Sequence, residues 1–181
     1  MRAGRGLLCA VAAVVTGLWG RPAAAEPAPR VTAEGAFEAA VTHLARSFGP
    51  GDAASDLRPD DVLLPLRQAG LIGRSFDGTF DYYAWVRPRR PLAFLAHSVE
   101  LVITEEKRGA FIGCCVDDGV TLVLREDGDR AALQQFADDL HCRLDAASTD
   151  SRASEALERS RPKVDPATRL ALQCHFGVIN Q

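Results

Sequence analysis

An α+β domain is the expectation for this chain. Apolar residues recur at helical spacing near the N-terminus, switch to a period of two through the middle, and return to helical spacing after residue 130. The expected arrangement is two N-terminal helices, a mostly antiparallel four-stranded sheet, one helix packed on that sheet and a C-terminal segment tethered by a disulfide.

Each element has its own warrant. Phe37, Ala40, Val41, Leu44, Ala45 and Phe48 share one helical face, Thr32 is placed to cap it, and Gly49-Pro50-Gly51 ends it. Asp60 or Asp61 is positioned to cap a second helix carrying Val62, Leu63, Leu66 and Ala69, with Gly70 as its stop. Pro65 is tolerable there only in the first turn. Thr79 to Arg87 alternates Phe80, Tyr82, Ala84 and Val86 against Asp81, Tyr83, Trp85 and Arg87, which predicts a half-buried strand closed by Pro88 and Pro91. Val99, Leu101 and Ile103 alternate with Glu100, Val102 and Thr104 in a second strand.

A polar turn over Glu106 to Gly109 then predicts a third strand, Ala110 to Val116, and Asp117-Asp118-Gly119 a turn into a fourth, Val120 to Glu126. With a three-residue loop, Val116 faces Val120, Cys114 faces Leu122 and Ile112 faces Leu124, so Cys114 points inward and Cys115 outward. After Asp127-Gly128-Asp129, Leu133, Phe136, Ala137, Leu140 and Leu144 form the stripe of a covering helix. From Ala146 to about Pro166 the chain is rich in Ser, Arg, Asp and Glu and reads as a linker, with a short helical stretch near Glu155 to Glu158. Apolar residues return around Cys174.

The first 25 residues have the form of an export leader. Arg2 and Arg5 precede an apolar run from Gly6 to Trp19, and Ala23-Ala24-Ala25 offers a cleavage site. The run is too short for a permanent membrane span. The expected organisation is therefore a leader over 1–25, one α+β domain over 26–146, and a polar linker with its tethered segment over 147–181. The chain's formal net charge is −3, and the leader carries three arginines and no acid, so what remains is more acidic still. That balance argues against nucleic acid or an anionic membrane as the main partner. Lys107 and Lys163 are the only lysines among many arginines and alanines, a composition of GC-rich bacterial genomes, and it suggests a periplasmic or secreted protein.

In an oxidising compartment Cys114, Cys115, Cys142 and Cys174 are expected to form disulfides. Neighbouring cysteines are too close for an unstrained bond to each other. The favoured connectivity is Cys114 with Cys142 and Cys115 with Cys174, the swapped pairing remaining open. An alternative is a copper or zinc site drawn from Cys114, Cys115, His141, Cys142, Cys174 and His175, although adjacent ligands on a strand point to opposite faces. A redox dithiol would call for Cys-x-x-Cys at a helix N-terminus, and none occurs. No nucleophile-elbow or metalloprotease pattern is present, and His97, the one histidine beside the expected sheet, reads as structural.

The remaining feature is a surface of Tyr83, Trp85, Arg87, Arg89 and Arg90, where rings and guanidiniums would suit a protein partner or a small anionic or sugar-like ligand. The competing expectation packs Tyr83 and Trp85 under one of the first two helices. The functional expectation is an exported envelope protein acting as a non-catalytic, disulfide-stabilised binding or interaction module without a cofactor. A copper- or zinc-binding protein is second, and a hydrolase third.

Overall fold

The computed structural model describes residues 32–46, 59–105 and 118–176. The leader, Phe48 with its Gly-Pro-Gly stop, Cys114 and Cys115, and the strand expected over Ala110–Val116 lie outside the described residues. Helix α1 (Ala33–Arg46) buries Phe37, Val41, Leu44 and Ala45, and Thr32 Oγ1 accepts from the Gly35 amide at 3.1 Å to cap it. A 3-10 turn (Pro59–Leu63) leads into α2 (Leu64–Gln68), where Pro65 falls in the first turn and its missing amide leaves no bond unmade. Gly70, at φ 65°, ends the helix in the left-handed conformation. Asp60 does not cap it. Its carboxylate accepts from the Thr104 hydroxyl at 3.0 Å and pins the turn to the sheet.

The strand expected over Thr79–Arg87 is instead a hairpin of β1 (Gly78–Phe80) and β2 (Tyr83–Val86). Asp81, at φ 54°, reverses the chain, a conformation that aspartate tolerates better than most residues. Gly78 pairs with Trp85, and a Cβ at Gly78 would stand 2.1 Å from the Trp85 ring. Only glycine leaves that ring its place.

Two-residue β3 (Ala93–Phe94) pairs with the start of β4 (His97–Glu105), and β4 pairs in turn with β5 (Asp118–Arg125). The expected alternation in β4 fails at one residue. Val99 faces Leu124 while Leu101 faces Val123, so Glu100 is an extra residue in a bulge. Val99 and Val102 consequently join one core, and Leu101 and Ile103 the other.

Helix α3 (Arg130–Asp139) is capped by Asp129, which accepts from the Ala131 amide at 2.9 Å, and buries Leu133 and Ala137. His141, at φ 55°, turns the chain into β6 (Arg143–Ala146), so Leu144 belongs to a strand and not to the helix. The segment expected as a linker contains α4 (Ser151–Arg159), capped by Asp150 through the Ala153 amide at 2.6 Å. After a second 3-10 turn (Pro166–Thr168), β7 (Arg169–Phe176) inserts between β5 and β6. The boundary expected after Ala146 therefore runs through the sheet itself.

The seven strands among the described residues are antiparallel throughout, in the order β1-β2-β4-β5-β7-β6 with β3 beside β4. Four strands were expected. Leu122 lies between Val102 and Leu172, so β5 has no edge left for the expected partners Ile112, Cys114 and Val116. Asp118 and Gly119, expected in a turn, are part of β5. One face of the sheet packs on α1, α2 and α3 through Phe37, Leu66, Phe94, Leu122, Leu133 and Leu172. The other packs on α4, where Ala153, Ala156 and Leu157 meet Trp85, Leu101, Ile103, Val123 and Ala171.

The disulfide joins Cys142 to Cys174, which corrects both pairings of those cysteines with Cys114 and Cys115. The reason is register. Arg143 pairs with Gln173, so the preceding and following residues stand opposite each other at a Cα separation of 4.4 Å, the close approach of antiparallel neighbours.

Two outcomes are expected. Peptide mapping without reductant should recover a Cys142–Cys174 crosslink, and the double replacement by serine should cost roughly 3–4 kcal/mol from the loop it opens. Leu157→Ala, at a wholly buried position of α4, should cost about 2–5 kcal/mol in denaturant unfolding, whereas a linker residue would cost almost nothing.

Candidate functional site

The expected binding surface divides in two. Trp85 is only 4% exposed, and with Tyr83 it packs beneath α4, not beneath the first two helices. Trp85 therefore offers no open face for stacking. Arg89 and Arg90 remain at the surface.

Arg87 has a structural task. Strand alternation in β2 turns it to the face that α4 covers, and its guanidinium donates to Ser160 Oγ at 3.0 Å and to the Pro162 carbonyl at 3.4 Å. The same guanidinium lies 3.5 Å from Glu100. Glu100 also meets Arg125 at 2.6 Å and Arg169 at 3.4 Å. Arg125 and Arg169 are direct partners across β5 and β7. One carboxylate thus serves three guanidiniums from neighbouring strands, and the β4 bulge is what delivers it to that face. The hydrogen bond and charge of Glu100 raise the Arg125 guanidinium above the ordinary arginine value.

Beside this row, Asp77, Trp85, Arg87, Arg89, Arg159 and Arg161 line an open hollow of about 370 Å³, with Ser160 at its wall and Leu101 at its floor. Asp77 accepts from the Arg87 amide at 2.6 Å. Arg159 lies 4.3 Å over the Phe80 ring and is paired with Glu155. Arg89 lies against the backbone of Gly73, where a Cβ would come within 2.9 Å of its Nη2. Among the described residues the guanidiniums of Arg89 and Arg161 have neither a hydrogen bond nor an ion pair. Four arginines against one aspartate make this a basic pocket on an acidic chain. A second hollow of the same size shares Arg87, Pro88 and Arg89 with the first and adds Arg90, Ser98, Arg125 and one acid, Glu100.

Other candidates fare differently. Cys142 and Cys174 hold each other's sulfurs, and among the described residues no three His, Cys, Asp or Glu side chains gather as a metal set. The candidate donors Cys114 and Cys115 and the side chain of His175 lie outside what is described, and no donor set gathers at His141 among the described residues. His97 is wholly buried, with Nδ1 3.0 Å from the Arg125 carbonyl and 3.3 Å from the Gly128 amide. It ties β4 to the loop before α3 and lines neither hollow. Asp138 accepts from the Gln134 side-chain amide on the exposed side of α3.

Arg159, Ser160 and Arg161 were missed because their segment reads as a linker. The available signal was Asp150 followed by Ala153, Ala156 and Leu157, a capped helix with an alanine stripe. No family model, curated protein or solved structure matches the chain. Among the described residues no helix is long and apolar enough to cross a membrane.

One pH effect follows from this corner of the fold. Asp127 accepts from the Ser98 hydroxyl at 2.6 Å and from its amide at 2.9 Å, which holds its carboxyl below the ordinary aspartate value. A depressed folded value contributes stability that is full above the ordinary carboxylate range and lost as pH falls through it and on through the lower folded value. Urea unfolding between neutral pH and pH 3 should show that loss, and Asp127→Asn should make the curve shallower over this window.

Proposed function

We propose that this protein is an exported, non-catalytic binding module whose basic hollow, between β2 and the C-terminal end of α4, holds an anionic group. The observation that carries the reading is the pair Arg89 and Arg161, two guanidiniums without partners among the described residues at the mouth of a concave site. A guanidinium without an internal partner keeps its fork of donors for charge-assisted, bidentate hydrogen bonds to a carboxylate or phosphate. Asp77 adds an acceptor for a ligand hydroxyl beside the anion.

Two features support a role outside the cytosol. The Cys142–Cys174 bond belongs to an oxidising compartment, and the N-terminal residues have the composition of an export leader. Against a catalytic role stands the engagement of the groups nearest the hollow, since Ser160 Oγ donates to the Leu157 carbonyl at 2.8 Å and receives Arg87, with no histidine in the lining. A serine so held is a structural clamp and lacks an activating base.

Trp85 edges the hollow and is one of only two tryptophans, the other being Trp19 in the expected leader. Its fluorescence in the processed protein should therefore titrate with galacturonate or orthophosphate at low salt. Arg161→Ala and Arg89→Ala should each raise Kd about tenfold, near 1.4 kcal/mol, and added salt should weaken binding in the wild type. Unchanged affinity in both variants would remove the proposal.

A further inference from the structure

We infer that the hollow beside α4 is one of two subsites of a continuous groove, and that the groove takes a linear polyanion carrying carboxylate or phosphate groups at intervals. This rests on the reading that the first hollow holds an anion. Both hollows are about 370 Å³, near the small end for ligand pockets, and they meet along Arg87, Pro88 and Arg89. The ridge between them is therefore itself basic. A ligand leaving the first hollow crosses guanidiniums and not a hydrophobic divide.

The second hollow keeps positive charge in spite of its bonds. Arg90 donates to the Ala69 carbonyl at 2.8 Å, which anchors the side chain without neutralising it. Arg125 shares the Glu100 carboxylate with Arg87 and Arg169, leaving the row with an excess of guanidinium. Asp127, which fixes Ser98 at the wall, is bonded to the Ser98 hydroxyl and amide. From the end of β2, past β4, to the end of β5 is two strand spacings, about 10 Å. A single small anion cannot bridge that distance. A chain with repeating anionic groups places one in each hollow and turns the second contact into an intramolecular event, which strengthens binding without any new type of contact.

The polymer is not a nucleic acid on this account. Among the described residues no bare ring lines the groove to receive bases, since Trp85 is buried, Tyr83 lies under α4 next to Arg152, and the nearby Phe80 ring is covered by Arg159.

Calorimetry on the processed protein compares galacturonate with trigalacturonate, and orthophosphate with short-chain polyphosphate. In at least one series the longer ligand should bind at least tenfold tighter than its monomer, and the series with the larger ratio identifies the anion as carboxylate or phosphate. Arg90→Gln, at an exposed position, should collapse that ratio toward one. If the monomers bind and the longer ligands bind no better, the groove is wrong and the single anion site stands. Failure of every ligand overturns both readings. An unstructured oligonucleotide that outcompetes both polymers would overturn the assignment of ligand class.

Discussion

The bulge at Glu100 is the constraint on which the rest depends. A strand at the centre of a sheet covered on both faces must offer apolar groups to both, and β4 does so by an irregularity in place of strict alternation. The extra residue turns Val99 and Val102 toward α1 and α3, and Leu101 and Ile103 toward α4. It also brings an acid to the α4 face, where Arg87, Arg125 and Arg169 arrive from flanking strands. Without that carboxylate three guanidiniums would repel one another across adjacent strands; with it they become a row that ties the sheet together.

From this row the hollow follows. Arg87, held by Glu100, reaches the end of α4 through Ser160 and Pro162 and so fixes where the helix stops. Arg159, the last residue of the helix, and Arg161, just past its end, then face Arg89 across a gap that neither element fills. A site made by the ends of two layers is open by construction. Its positive charge is the remainder left after the structural ion pairs are satisfied. The Cys142–Cys174 bond acts at the opposite edge, locking β6 to β7 and with them the strand that carries Arg169.

Much of this was legible in the residues. The period-two alternation of Tyr83, Trp85 and Arg87 placed them on one face, Thr32 and Asp129 marked helix starts, and Pro65 and Gly70 fell where their backbone limits require. What escaped had physical causes. Asp81 reverses the chain inside an unbroken alternation, and one residue at positive φ leaves no compositional trace. The β4 bulge is invisible because both cores accept valine, leucine or isoleucine alike. Helix α4 buries mostly alanines, whose small apolar surface is outweighed by the Ser, Arg and Glu around them. Cysteine pairing depended on β7 entering the sheet between β5 and β6, a long-range placement that no local pattern encodes. The arginines of the site were half found, Arg87, Arg89 and Arg90 from their strand and connection. Arg159 and Arg161 needed α4 before they could be grouped with them.

The Glu100 row seats α4 on the sheet and thereby builds the basic hollow. Hydrogen–deuterium exchange of the α4 amides, in the wild type and in Glu100→Gln, tests it most directly. Protection of α4 comparable to that of β4 and β5 is expected in the wild type, with faster exchange in α4 once the carboxylate is gone. Rapid exchange over residues 151–159 in the wild type, or protection that the substitution leaves untouched, would contradict it.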